Sequence, residues 1–405
     1  MPVVTRRALQ ALQRVTPRKI IDLSVDELCS IIVRLPLAHQ IALLATVSRL
    51  FRDAVRQAFV VRPYSNKVVK LYAHTLGDRR FVTSVLAAPD GHIISSSFDG
   101  TVKMWRDGAV VRTWVASQHR VPDQRERSVE DSALMPDGAR FLTIQDDCHV
   151  NVWGVGGSLE HSFGIGTHVQ NVVAMPDGVH LAVGLWNGFV KIHHINGNLV
   201  HTLDARHSGY NPWADARYVQ AEPHRFTKHV TALAVTPDGA HLIAGTGEFL
   251  VKVWSIASKS LVATSIPSAS THGDAVHALA PLPDGKRVLS ASGRLDKSII
   301  LWLLDGTENL VKQRGFRFGG LVNADFVRRL LALPDGKHAL ATTEFNHVVL
   351  FSVDNGEILR NIKSERVGRG CVPAWSLALL PDRRRFVCGD EVGDVRIMEH
   401  GLWIQ

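Results

Sequence analysis

The sequence predicts a mainly β chain: a ring of seven four-stranded sheets, a seven-bladed β-propeller, led by a small α-helical module. Pro-Asp-Gly recurs at Pro89, Pro136, Pro176, Pro237, Pro283 and Pro334, with a degenerate Pro-Asp-Arg at Pro381, at spacings of 47, 40, 61, 46, 51 and 47 residues. Those intervals are close to the ~40–45 residues of a four-stranded blade with variable loops. Between the turns, apolar residues alternate with polar or small ones over short runs, the period of a β-strand. Residues 20–60 lack that alternation and carry helical punctuation instead. The expected organisation is a basic lead-in over 1–19, a helical module over 20–60 and the propeller over 67–405, with blade turns at 89, 136, 176, 237, 283, 334 and 381.

Each repeat has one grammar, plainest from Val82 to Trp105: a strand, the Pro-Asp-Gly turn, a second strand, an Asp-Gly turn at Asp99, then Val102, Met104 and Trp105. Sixteen to nineteen residues after each turn proline stands a bulky side chain: Trp105, Trp153, His193, Trp254, Trp302, Phe351 and Met398. That position is expected to fill the wedge between neighbouring sheets, where a large ring removes the most apolar area from water. A basic residue opens each second strand (His92, Arg140, His180, His241, Arg287, His338, Arg384) and reads as a solvated position beside the turn. Ring closure calls for an extra outer strand. Residues 67–73 suit it better than 401–405, because Val68, Val69 and Leu71 repeat the pattern of strands that precede other blades, and borrowing an N-terminal strand covers an exposed edge.

The repeat resembles the WD-repeat family over about residues 67–405, although no tryptophan here is followed by aspartate. The resemblance implies two buried polar tetrads with structural roles: His74, Ser95, Asp99 and Trp105, and His272, Ser292, Asp296 and Trp302.

In the helical module, Ser24 followed by Glu27 forms a capping box ahead of Leu28, Ile31, Ile32 and Leu35 at helical spacing. Pro36 breaks the run, and Ile41, Leu44, Val47, Leu50 and Phe51 resume an apolar face. About 40 residues bury too little to stand alone, so a partner surface is expected over the stripe. The order Ile21-Asp22-Leu23, Asp26-Glu27-Leu28, Leu35-Pro36-Leu37 and Val47-Ser48-Arg49-Leu50-Phe51-Arg52 resembles an F-box, with Ser24-Val25 where that family commonly has proline. The resemblance implies a Skp-type adaptor of a cullin ubiquitin ligase as partner, contacted by Leu23, Leu28, Ile31, Ile32, Leu35, Pro36, Leu44, Val47 and Phe51.

Composition narrows the function classes. Hydrophobic residues make up 45% and charged residues 21% of the 405, an ordinary globular balance. The four cysteines, at 29, 148, 371 and 388, lack the paired spacing of zinc or disulfide frameworks, so no metal is expected and a reducing compartment, cytoplasm or nucleus, is. The longest apolar runs fall far short of the ~18 residues of a bilayer span, so no membrane association is expected. No phosphate loop, His-Glu-x-x-His or Gly-x-Ser-x-Gly is present, which points away from catalysis and cofactors.

Function is then expected on the connectors between blades, which are free to vary because the strands carry the fold. The longest, residues 204–228, holds Arg206, Tyr210, Trp213 and Arg217; other connectors bring Arg120, Arg125, Arg127, Arg314, Arg317 and Arg366. Arginine and aromatic residues are the usual makings of a binding hot spot, and converging guanidinium groups suit an acidic or phosphorylated client. The expected function is a non-catalytic receptor, in the F-box reading the substrate-recognition subunit of an SCF-type ligase. A scaffold unrelated to ubiquitin is the alternative. Nucleic acid ranks third, because the basic residues behind the +8 net charge are dispersed rather than striped.

Overall fold

The computed structural model describes residues 69–72, 74, 81–116, 128–146, 148–206, 228–265, 272–304, 310–318, 326–344, 347–363 and 374–400. The chain divides into two units, residues 1–66 and 67–405, and every described residue belongs to the second. The helical module, with its expected adaptor contacts from Leu23 to Phe51, lies outside the described residues.

The described residues form seven four-stranded antiparallel sheets, each folded from neighbouring strands in sequence order except the last. The inner strands, one per blade, are Val82–Ala87, Val129–Leu134, Val169–Ala174, Val230–Val235, Val276–Pro281, Val327–Ala332 and Ala374–Leu379. Each packs against the inner strand of the next blade, and the last against the first. The turn glycines take the left-handed conformation a Pro-Asp-Gly turn requires, φ +89° at Gly91 and +63° at Gly336. In blade 7 the same position is Arg383, at φ +55°.

Blade 7 is closed by the N-terminal strand Val69–Tyr72, which pairs antiparallel with Asp394–Glu399, Val69 opposite Ile397 and Leu71 opposite Val395. Residues 401–405, the other candidate for this role, lie outside the described residues. This strand covers the edge that Asp394–Glu399 would otherwise present and gives blade 7 the same four strands as the other blades.

The core is distributed as one hydrophobic cluster per blade junction. Blades 1 and 2 meet through Ile94, Val102, Phe141 and Trp153; blades 7 and 1 meet through Leu380, Val387, Val82 and Trp105. Five further clusters seal the other junctions. The bulky residue of each third strand is buried there, opposite the second strand, as with Ile93 and Trp105 or Val288 and Trp302. At the third strand's other edge a register shift occurs at this residue in blades 1 to 6, which lets its outer strand bend past the large side chain.

The basic residues of the second strands are tied to their turns. Arg140, Arg287, His180 and His338 reach the aspartate of their own turn at 2.6 Å, and His92 reaches Asp90 at 2.7 Å. In blade 7 the partner of Asp382 is Arg385, not Arg384: Arg385 stands four residues after its turn proline and opens its strand, as Arg140, His180, Arg287 and His338 do. In blade 4 the Thr236 hydroxyl donates to Asp238 at 2.6 Å. These side chains brace turns.

A candidate binding site at the mouth of the central channel

Every inner strand opens with a register irregularity against its second strand, between residues 82 and 84 in blade 1 and at the equivalent place in all seven blades. Such a bulge turns an extra residue away from the ladder. Those residues are Thr83, Glu130, Gln170, Thr231, His277, Arg328 and Trp375, and together they line one recess of about 210 Å³ with Phe98, Asn171, Phe326 and Arg329. Each stands six residues before the turn proline of its own repeat, so the ring is periodic in the sequence. It lies on the face where the connectors enter the inner strands and where Phe98 turns between the second and third strands of blade 1.

Flat side chains run round this mouth. Trp186 lies 4.9 Å from His168 and stacks on His229 at 5.5 Å. His277 packs on Phe326 at 6.1 Å. The Arg328 guanidinium sits 5.0 Å from the Phe326 ring centre and 4.0 Å from that of Trp375. Trp375 stacks on Phe81 at 5.9 Å, and Phe81 meets Phe98 edge-on at 5.7 Å. Trp186 is 50% exposed, an unusual position for so large an apolar surface.

The charges of the mouth are of both signs. Arg328 is 3.7 Å from Glu344, which also pairs with Arg294. Burial pushes the Arg328 guanidinium below its ordinary range, against the pull of Glu344. Burial raises the Glu130 carboxyl, although the Ser128 hydroxyl donates to it at 2.9 Å. It also raises Asp131, opposed chiefly by the charge of Arg329 and by the backbone N–H groups of Val172 and Ser132. His277 is pushed down to about 4 by burial, despite the charge of Asp274, and burial lowers His229, so both imidazoles are neutral near pH 7.

The tetrad residues lie elsewhere, inside the blades. In blade 1 the His74 imidazole bonds Asp99 and Ser95, each at 3.1 Å, and the Trp105 indole N–H donates to the Ser95 hydroxyl at 3.0 Å; Thr101 adds a contact to His74 at 2.8 Å. In blade 5 His272 meets Asp296 at 3.3 Å, but the hydroxyl joining it to Trp302 belongs to Ser290, at 2.6 and 2.7 Å. Ser292, the residue expected from sequence, bonds Asp296 and the backbone N–H of Ser298 instead. The reason is loop length. Four residues separate Ser95 from Asp99, whereas the corresponding blade 5 turn is two residues longer, so counting back from Asp296 stops short. Burial, only partly offset by Asp296, lowers His272; Asp296, despite its burial, is held far below the usual carboxylate range by His272, Ser298, Ser292 and Arg317. In blade 7 an ion pair between Asp390 and Arg396 at 2.8 Å is buried beside Cys388, whose thiol burial pushes up to about 12.

Of the arginines and aromatics expected to hold a client, Arg120, Arg125, Arg127, Tyr210, Trp213, Arg217 and Arg366 lie outside the described residues. Arg206 pairs with Asp204 at 2.7 Å and covers Phe189 at 4.2 Å. Arg317 donates to the backbone carbonyl and the carboxylate of Asp296 at 2.8 and 2.9 Å. Arg314 is exposed on the outer strand of blade 5, opposite Leu301. Arg206 thus braces blade 3 and Arg317 blade 5, and the three described arginines stand on two different blades. Among the described residues no group of three histidine, cysteine or acidic side chains could hold a metal ion.

Seven unlike side chains, one from each blade, thus meet at one recess of a seven-bladed propeller. The family described as WD domain, G-beta repeat, matches residues 65–106, 221–255 and 264–302, which take in most of blades 1, 4 and 5. The chain carries WD40 repeats in a seven-bladed β-propeller. WD40 propellers are in general non-catalytic interaction domains that bind protein partners.

Proposed function

We propose that this protein is the substrate-recognition subunit of an SCF-type ubiquitin ligase, working in the cytoplasm or nucleus, with the helical module on a Skp-type adaptor and the client held at the channel mouth. The observation that carries the receptor half is the ring of seven bulge residues, one from each blade, around one recess, with the exposed Trp186 at the blade 3 turn equivalent to that of Phe98. Rigid strands fix the ring, and its half-buried aromatic and arginine groups are of the kind that dominates binding energy. Support for the ligase half is the F-box-like order of residues 21–52. No residue of this chain does chemistry in this reading. Its contribution is proximity, since holding a lysine-bearing client beside a charged conjugating enzyme raises the effective concentration.

The test is co-purification of the full chain, and of a Leu28→Asp, Ile32→Asp double variant, with a Skp-type adaptor, the fold of both monitored by circular dichroism. Binding by the wild type and its loss in a folded variant is the expected result. A well-folded wild type that leaves the adaptor behind overturns the ligase reading in favour of a scaffold unrelated to ubiquitin.

A further inference from the structure

The charge inventory of the mouth points to the chemistry of its ligand. Most charged groups around it are already matched: Arg328 and Arg294 share Glu344, and farther out Arg206 is held by Asp204 and Arg317 by Asp296. Of the three charged residues that line the recess, Arg328 is paired, while Glu130 and Arg329 have no ion-pair partner among the described residues, nor has Asp131 beside Glu130. Glu130 takes only the Ser128 hydroxyl, Asp131 only backbone N–H groups, and Arg329 donates only to the carbonyl of Arg328, at 3.4 Å. The two acids stand on blade 2 and the guanidinium on blade 6, and Arg329 is the cation that Asp131 feels most strongly across the opening.

A half-buried charge without a partner is unfavourable, and a ligand that supplies the partner gains what the free protein lacks. We propose that the mouth receives a client segment carrying a basic and an acidic side chain together, the cation lodged against Glu130 and the anion against Arg329. The apolar stem of the basic residue would lie on the Trp375 and Phe98 side of the recess, as long cationic side chains do on aromatic surface. A phosphate dianion fits less well. It would meet one available guanidinium, that of Arg329, and the carboxylate of Glu130 in the same lining. This inference rests on the receptor reading above and adds the class of ligand to it.

The experiment is selection of a randomised, unphosphorylated 12-residue peptide library on the immobilised full chain. Binders are then compared on the wild type, on Glu130→Gln and Arg329→Gln, and on Thr231→Trp, which fills the recess. The expected winners hold Lys or Arg within a few residues of Asp or Glu, and lose binding on Thr231→Trp. Replacing either charged peptide residue by glutamine should weaken binding about tenfold, as loss of one charge-assisted contact does. Glu130→Gln should abolish only the preference for the basic residue and Arg329→Gln only that for the acidic one; the peptide analogues give the same reading if a protein variant folds poorly. Binders indifferent to Thr231→Trp would show that clients dock elsewhere, which overturns the receptor site itself. Mouth-dependent binders carrying a single sign of charge, or none, overturn this inference and leave that site standing.

Discussion

Ser290 carries two buried partners on one hydroxyl, the indole N–H of Trp302 and a ring nitrogen of His272. Ser290→Ala would leave both unsatisfied, at about 1–3 kcal/mol per buried polar group. A loss of about 2–4 kcal/mol in urea unfolding is therefore expected. Arg383 is the opposite case, a residue whose replacement should help. It holds the left-handed conformation that glycine holds in the other six turns, at a cost of about 1–2 kcal/mol for an L side chain. Arg383→Gly should raise stability by about 0.5–1 kcal/mol, part of the gain being returned as entropy of the more flexible unfolded chain, and a thermal melt will register it. His277 sets a pH dependence. Its folded value of about 4 lies below its ordinary 6.5, so on acidification the unfolded state takes the proton first. Its contribution is whole above pH 6.5 and is lost between 6.5 and 4, up to about 3 kcal/mol. The buried carboxyls of Asp131 and Asp390, raised by burial, work in the other direction, so the comparison that isolates the histidine is with His277→Gln. Unfolding free energies at pH 7 and 4.5 should converge for that variant relative to the wild type; an equal acid loss in both would assign it to other groups.

At the scale of the element, the strand Val69–Tyr72 is only four residues long, yet it supplies the fourth strand of blade 7 and, through Leu71, part of the junction between blades 7 and 1. A closed ring is only as stable as its last seam, because opening it exposes a sheet edge and one junction core at once. Leu71→Asp places an unpaired carboxylate in that junction, at a cost of about 3 kcal/mol or more. Limited proteolysis should then cut this strand or the strands of blade 7 before the other blades; uniform resistance would show that the ring does not depend on this seam. The choice of closing strand was legible because its apolar pattern matches other outer strands. Ser290 was not, since its place depends on a turn two residues longer than that of blade 1, nor was Arg385, which follows two other arginines that residue type alone does not set apart.

For the whole molecule, the blade count was readable because turn chemistry is restrictive: few residues other than Pro, Asp and Gly make that hairpin, so selection for structure leaves a visible period. The mouth is periodic too, six residues before each turn proline, but its occupants are Thr, Glu, Gln, Thr, His, Arg and Trp, and a pattern of position without a pattern of residue type escapes a search by motif. Arginine-rich connectors drew attention instead, yet Arg206 and Arg317 turn out to serve neighbouring aspartates. The same contrast yields a prediction for the assembled protein. If adaptor and client are held by different units of the chain, each contact can be removed without the other. Trp186 is half exposed and packed only by His168 and His229 among the described aromatic residues, so Trp186→Ala should cost little stability while removing a surface of the hot-spot kind. Client peptides selected on the wild type should bind that variant at least about tenfold more weakly, a change of about 1.4 kcal/mol, while adaptor co-purification is unchanged. The Leu28→Asp, Ile32→Asp variant should give the converse result, full peptide binding without adaptor. Loss of both contacts in either variant would mean that the two activities share one surface, which is incompatible with a receptor that must hold its client and its ligase at once.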